Sequence, residues 1–231
     1  FCCYNNEKEK NMDYQFLSRT VLFRGIQPEE IKAMLSCLAA EKRTYEKGAL
    51  IYRAGDVVTS LGVVLDGKVL IEHDDLWGST TVLDSALPGQ VFAETYACTA
   101  GEPLMVNVEA AKQSQVLFLN VSRVLRICTH ACAFHGKLIQ NLLALSAQKN
   151  LNLSRKILFT ASKTIRGRLE VYLSDQAVKN GSSSFTIPFN RQQLADYLNV
   201  DRSALSAELG KMQKEGLIRV NKNRFEVTKQ I

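Results

Sequence analysis

The sequence predicts an α+β chain: an antiparallel β-roll, then one long helix, then a small helical module closed by a hairpin. Three observations predict it. Short apolar runs punctuated by turn residues fill the stretch from Arg43 to about Leu119. A helical pattern without proline runs from about Ala131 to Thr160. Two short amphipathic helices are pinched together at Asn199-Val200-Asp201.

At 231 residues and 46% hydrophobic content the chain is long enough for two compact domains, or one large one, with a real core. It contains no run of about 18 apolar residues that would cross a bilayer, and its first residues lack the charged-then-apolar order of a secretory signal. The expected location is the cytoplasm. Six cysteines (Cys2, Cys3, Cys37, Cys98, Cys128, Cys132) are too sparse for a secreted disulfide scaffold. They are reduced thiols, or a few of them have a redox or metal role.

Residues 13 to 41 carry a helical pattern that Leu22-Phe23-Arg24-Gly25 interrupts. Pro28-Glu29-Glu30 opens the second helix, because proline fits a first turn and acids suit its positive end. The strand region follows, with Leu50-Ile51-Tyr52, Gly62-Val63-Val64-Leu65, Val69-Leu70-Ile71 and Val116-Leu117-Phe118-Leu119 as its apolar runs. Gly48, Gly55-Asp56, Asp66-Gly67, Gly78 and Pro88-Gly89 supply the turns. Residues 122 to 128 suggest a brief helix before the long one.

In the long helix Leu138, Leu142 and Leu145 follow a 4-3 step. Ile139, Leu143, Ser146, Asn150, Leu153 and Ile157 run beside them as a second seam. Thirty helical residues reach about 45 Å, more than a small roll needs as a cover. The surplus suits a second copy of the chain, with Asn150 as a register-fixing polar residue; a long packing helix within a monomer is the alternative. Ser162 or Thr164 then caps a helix through Ile165, Leu169, Tyr172 and Leu173 that ends near Asn180-Gly181. A serine loop leads to a short strand at Phe185-Thr186-Ile187.

In the segment "RQQLADYLNVDRSALSAELGKMQKEGLI" the first helix has Asn190 as N-cap and Leu194, Ala195 and Leu198 inward. The second has Asp201 as N-cap and Leu205, Leu209 and Met212 inward. Asn199 is the best non-glycine type for the left-handed turn residue between them. Helices joined so tightly cross steeply, and one projects. Arg202, Ser203, Ser206 and Ala207 then lie on its outward N-terminal part. After Glu215-Gly216, Arg219-Val220 and Phe225-Glu226-Val227 flank Asn221-Lys222-Asn223 as a hairpin with basic tips.

Charge sharpens this reading. Residues 151–231 hold 14 Lys plus Arg against 7 Asp plus Glu, while the other 15 and 16 lie in residues 1–150. The basic excess is confined to the last third, which suits a polyanion, and a helical hairpin buried in a core would not explain a polar, basic outer face. The reading is DNA binding through a projecting helix in the major groove. Arg191, Arg202, Ser203, Ser206, Lys211 and Lys222 are the candidate contacts. Arg202 faces a guanine edge or a phosphate, and the serines can donate to either.

The segment "FNRQQLADYLNVDRSALSAELGKMQKEGLI" resembles the winged-helix reader of the Crp-Fnr bacterial transcription regulators, and the order of roll, long helix and reader resembles theirs over nearly the whole chain. The resemblance implies a cyclic-nucleotide-binding-like roll over residues 1–130, a dimerisation helix over 131–160 and a winged helix-turn-helix over 161–231. It also implies a homodimer on a pseudo-palindromic operator that recruits or obstructs RNA polymerase; no nucleophile elbow or Gly-rich phosphate loop points to an enzyme, and no apolar run to a membrane partner.

In members that bind cyclic nucleotides, a Gly-Glu pair is followed about ten residues later by Arg-Ser or Arg-Thr. Glu accepts from the ribose hydroxyl and Arg pairs with the phosphate. Here "PGQVFAETYACTAGEPLMVNVEAA" keeps Phe92 and Glu94, replaces the Gly by Ala93, and has Leu104-Met105 where Arg-Ser would fall. Phe92, Glu94 and Met105 are the expected effector-pocket residues, with Glu94 as a cap or hydrogen-bonding group within the roll as the equal alternative. Burying a phosphate without its cation costs several kcal/mol, so the expected effector is not cyclic AMP. An iron-sulfur cluster fits poorly as well, because Cys2 and Cys3 are adjacent and the roll position expected for a thiol falls near Leu117.

In "CTHACAFH", helical steps of four and three put Cys128, Cys132 and His135 on one face, a spacing compatible with a soft metal, haem or redox role. Small core thiols beside a helix-end histidine are the plainer alternative. The cofactor stays unknown. Two rival readings of the roll are a ligand-free docking surface and a cupin-like enzyme domain. The enzyme would need histidines clustered on strands, yet of His73, His130 and His135 two lie outside the strand region.

Overall fold

The computed structural model of the protein describes residues 12–38, 40–125 and 133–228. The chain divides into two compact units between Ala147 and Gln148, inside the long helix.

The first unit begins with α1 (Tyr14–Arg19), capped by Asp13 accepting from the Phe16 amide at 2.7 Å, and α2 (Pro28–Cys37), with proline at its first position. The strands β1 (Glu41–Tyr45), β2 (Leu50–Tyr52), β3 (Ser60–Asp66), β4 (Val69–Asp74), β5 (Thr80–Ala86) and β6 (Val91–Phe92) lead to the short helix α3 (Glu94–Cys98). Then follow β7 (Asn107–Ala110), β8 (Ser114–Asn120) and α4 (Val121–Leu125). Two antiparallel four-stranded sheets result, ordered β1-β8-β3-β6 and β2-β7-β4-β5. The helical pattern read through residue 41 stops earlier, because Glu41 to Tyr45 pair with Phe118 to Ser114.

β8 shows why the run Val116-Leu117-Phe118-Leu119 lacks polar alternation. Leu117 and Leu119 pack with α1, α2 and α4 in one core, while Val116 and Phe118 enter a second core that residues of both sheets share. β5 has the opposite character. It is an edge strand exposed along most of its length, so "TTVLDSA" carries no apolar run to announce it.

The long helix α5 (Ala133–Thr160) uses its two seams differently. Leu138 and Leu142, 0% and 4% exposed, belong to the first unit's core, whereas Leu143 and Ile157 are each 69% exposed. Its polar side chains meet the loop after α1: Lys137 donates to the Gly25 carbonyl at 2.8 Å, and Asn141 donates to those of Leu22 and Arg24 at 3.0 and 2.9 Å.

The second unit adds α6 (Ile165–Asn180), β9 (Ser184–Thr186), α7 (Arg191–Leu198), α8 (Arg202–Lys214), β10 (Ile218–Asn221) and β11 (Arg224–Val227). Thr164 caps α6 by accepting from the Gly167 amide at 3.1 Å, and left-handed Gly181 ends it. The three strands form a sheet ordered β10-β11-β9. Leu169, Tyr172, Leu194, Leu198, Leu205, Leu209, Met212 and Phe225 meet in one core with Phe159, from the end of α5.

Candidate nucleic-acid interface

The interface is built around the bend between α7 and α8. Asn190 opens α7 with a reciprocal cap: its Oδ1 accepts from the Gln193 amide, and Gln193 Oε1 accepts from the Asn190 amide, both at 2.9 Å. Asn199 ends α7 in the left-handed region at φ 53°, and Asp201 opens α8 by accepting from the Ala204 amide at 2.9 Å. Leu205, Leu209 and Met212 are buried, which turns Arg202, Ser203, Ser206 and Ala207 to the surface.

Two arginines of α6, separated by Gly167, hold this bend in place. Arg168 donates to the carbonyls of Leu198 at 3.0 Å and Asn199 at 2.8 Å, and its Nε donates to the Ser162 carbonyl at 2.8 Å. It thereby satisfies carbonyls at the negative end of α7 and ties them to the connector between α5 and α6. Gly167 permits the approach, since a Cβ there would lie 2.2 Å from Ser162 Oγ. Arg166 forms a bidentate pair with Glu215 at 2.7 Å and reaches Glu208 at 2.6 Å, fastening the later turns of α8. Sequence reasoning missed both arginines. They sit in a helix outside the two-helix pattern, and nothing in "TIRGRLE" distinguishes them from solvated cations.

β10 and β11 make the wing, with Asn221 opposite Arg224 and Lys222-Asn223 as its tip. Lys222 is exposed with φ 54°. Asn223 fixes the tip: its carbonyl accepts from the Ile187 amide at 2.9 Å, and its side-chain amide donates to the Ile187 carbonyl at 3.2 Å. A cleft of about 410 Å³ lies between the wing tip and the start of α7, and Asn190, Arg191, Gln193 and Lys222 are among its lining residues. Arg191 is half-buried, with its guanidinium 6.0 Å from the centre of the Phe225 ring, and desolvation lowers its pKa. Lys211 is exposed, 3.7 Å from Glu208, so its charge is partly countered.

The candidate contacts therefore fall in one unit, in three groups. Arg202, Ser203 and Ser206 crown α8, Arg191 and Lys222 line the cleft, and Lys211 lies further along α8. Arg202 is exposed and has no ion pair among the described residues.

The effector candidates are not brought together in the same way. Phe92 is fully buried in the roll core, its ring packed so closely over Gly62 that a Cβ there would lie 2.2 Å from it. Glu94 is buried at the first turn of α3, and partial burial, followed by the neighbouring Glu94, raises the Cys98 pKa. Met105 is 67% exposed, so it stands on the surface rather than in a pocket with Phe92. Leu104, in the place of the expected arginine, is buried. Ala93 takes the left-handed conformation at φ 58°, the conformation that a glycine adopts without strain.

Cys128 and Cys132 lie outside the described residues. His135 is 5% exposed, and its Nδ1 is buried without a hydrogen-bond partner among the described residues. Among the described residues no group of three His, Cys, Asp or Glu side chains is placed to hold a metal, and no helix is long and apolar enough to cross a membrane.

Comparison with known proteins matches both units. Residues 42–131 match the cyclic nucleotide-binding domain, and residues 167–229 match the Crp-like helix-turn-helix domain. The cyclic AMP receptor protein of Thermus thermophilus is 26% identical over 212 residues, covering 89% of this chain and 91% of that one. Electron transport regulator A of Shewanella oneidensis is 22% identical over 192 residues, covering 80% and 74%. Among solved structures, the catabolite activator protein of Thermus thermophilus shares the fold with a TM-score of 0.50 and 24% identity, covering 90% of this chain and 93% of that one. CprK complexed with OCPA shares it with a TM-score of 0.58 and 15% identity, covering 85% and 88%. A cyclic nucleotide-binding domain and a Crp-like reader thus follow one another in a single chain, as the order of its elements anticipates, and the protein belongs to the Crp-Fnr family of transcription regulators.

Proposed function

We propose that the protein acts in the cytoplasm as an effector-controlled homodimer that reads a pseudo-palindromic operator, recruits or obstructs RNA polymerase there, and answers to a signal other than cyclic AMP. The observation that carries the DNA reading is the exposed face of α8, which presents Arg202, Ser203, Ser206 and Ala207 while its opposite face is buried. Two such helices spaced about 34 Å apart would meet successive major grooves on one side of a duplex.

Dimerisation is assigned to the exposed seam of α5. Leu143, Leu151, Ile157 and Leu158 each stand more than half exposed, with Asn150 among them accepting from the Ser154 hydroxyl at 3.3 Å. An apolar row of this length on a helix calls for a partner of the same shape.

The residues at the roll's cassette do not fit a cyclic nucleotide. Leu104 and Met105 offer no cation to a phosphate, although Glu94 is kept where the ribose partner would be. The signal is assigned instead to metal or redox chemistry at Cys128, Cys132 and His135. The Nδ1 of His135, buried with no partner among the described residues, supports this, because a buried nitrogen without a partner costs about 1–3 kcal/mol unless something binds it.

Selection of duplexes from a random pool, combined with sedimentation at micromolar protein, tests the main reading. The expected result is a dimer and a selected site with two related halves; a monomer indifferent to duplex sequence would overturn it. Millimolar cyclic AMP is expected to leave Tm unchanged, whereas a ligand at 100 times its Kd would add about 2.7 kcal/mol of stability. For the signal, metal analysis and absorbance spectra of anaerobically purified protein are compared with Cys128→Ser. A colourless, metal-free protein whose operator binding survives that substitution overturns the assignment.

A further inference from the structure

The reading face of α8 is distinguished by where its serine protons go. The Ser203 hydroxyl donates to Asp201 Oδ1. That bond and the Ala204 amide hold the Asp201 carboxyl below its ordinary range, so at neutral pH it is ionised and can only accept. The Ser206 hydroxyl donates to the Arg202 carbonyl at 2.9 Å, and a carbonyl also only accepts. A hydroxyl has one proton and two lone pairs. Both protons are committed within the helix, and lone pairs remain for anything that approaches the exposed face.

This makes most of the duplex a poorer partner for the two serines. Phosphate oxygens, guanine O6 and N7 and thymine O4 are acceptors, so each would meet the serines lone pair against lone pair. In the major groove the donors are the amino groups, adenine N6 and cytosine N4. Arg202, beside the serines, has the opposite polarity and only donates, which suits guanine.

On the reading that α8 enters the major groove, we propose that Ser203 and Ser206 are specificity-determining acceptors. They read exocyclic amino groups of adenine or cytosine, while Arg202 reads a guanine in the same half-site. The preference at Ser203 is the stricter of the two. Its internal bond is to a carboxylate and is about twice as strong as the neutral bond of Ser206, so its proton is the harder one to release to an acceptor base.

The test uses the full-length protein and the duplex selected from a random pool. At each position that Ser203→Ala or Ser206→Ala relaxes, the amino-bearing base is replaced by an analogue without the amino group, purine for adenine or pyrimidin-2-one for cytosine. The wild-type protein is expected to lose affinity about 5- to 10-fold per analogue, the range of a single hydrogen bond. The matching alanine variant is expected to lose nothing further. Both serines are exposed on a helix, where alanine is at least as good a helix former, so the variants fold.

Three outcomes overturn the proposal. One is equal analogue losses in wild type and variant. A second is a selected half-site carrying guanine or thymine at the relaxed positions. The third is a Ser→Ala loss that is the same on selected and random DNA, with the salt dependence unchanged, which would make the serines uncharged phosphate contacts. A protein that prefers no duplex at all sinks the DNA reading along with this one. A sequence preference without analogue coupling sinks only the roles given to the serines.

Discussion

The reader and the cassette corner of the roll place similar devices in opposite chemical settings. Each has a non-glycine residue in the left-handed region beside a short helix, Asn199 in the reader and Ala93 in the roll. In the reader, cations converge around that residue: Arg168 on its carbonyl, and Arg202 three positions on. In the roll the corresponding region holds Leu104, buried, and Met105, exposed, with no cation at either place. One unit presents exposed cations on a family scaffold; the other has two apolar side chains at the positions where the resemblance expects Arg-Ser. The lesson is that a shared fold carries no ligand by itself, because the ligand depends on a few side chains that packing does not require.

The contrast can be broken most severely at Phe225. It is fully buried, stacked with Phe185 at 6.3 Å and flanked by Arg191, so Phe225→Ala is expected to cost about 3–5 kcal/mol. Denaturant titration should show the reader losing stability, with DNA binding falling alongside it. Next comes Arg168→Ala, which leaves the Leu198, Asn199 and Ser162 carbonyls without their guanidinium; a loss of about 2–3 kcal/mol is expected. Hydrogen exchange should localise the opening to residues 198–201. An unchanged pattern there would remove the arginine's role in holding the bend.

Arg202→Ala should weaken operator binding by about 1–3 kcal/mol while sparing random DNA. Equal losses on both would make it a phosphate contact. In the roll, Ala93→Gly is expected to stabilise by about 1 kcal/mol, since it relieves a left-handed alanine, and thermal unfolding should show a higher Tm. Smallest of all, Lys222→Gln should leave sequence preference intact and flatten the dependence of log affinity on log salt by about 0.9 per half-site.

Much of the architecture was legible because it depends on local rules. Asn190, Thr164 and Asp201 cap where sequence capping rules put them, and Asn199 adopts the left-handed conformation that its type favours. β5 escaped notice because an edge strand facing water needs no apolar alternation. The two seams of α5 look alike in sequence, and only packing separates the buried Leu138 and Leu142 from the exposed Leu143 and Ile157. At the cassette corner the sequence placed Phe92, Glu94 and Met105 together; the structure separates a core ring, a buried acid and a surface thioether.

By itself, then, the sequence determined the order of elements and the bend of the reader. Each of these depends on residue type, spacing and local hydrogen bonding within a few positions. Only the tertiary structure decided which cations act structurally and which face outward. Arg166 and Arg168 are drawn to carboxylates and carbonyls 30 to 49 residues away, while Arg202 has no such partner among the described residues. A side chain's hydrogen-bonding role is set by which acceptors folding brings within about 3 Å of it, and sequence distance does not record that.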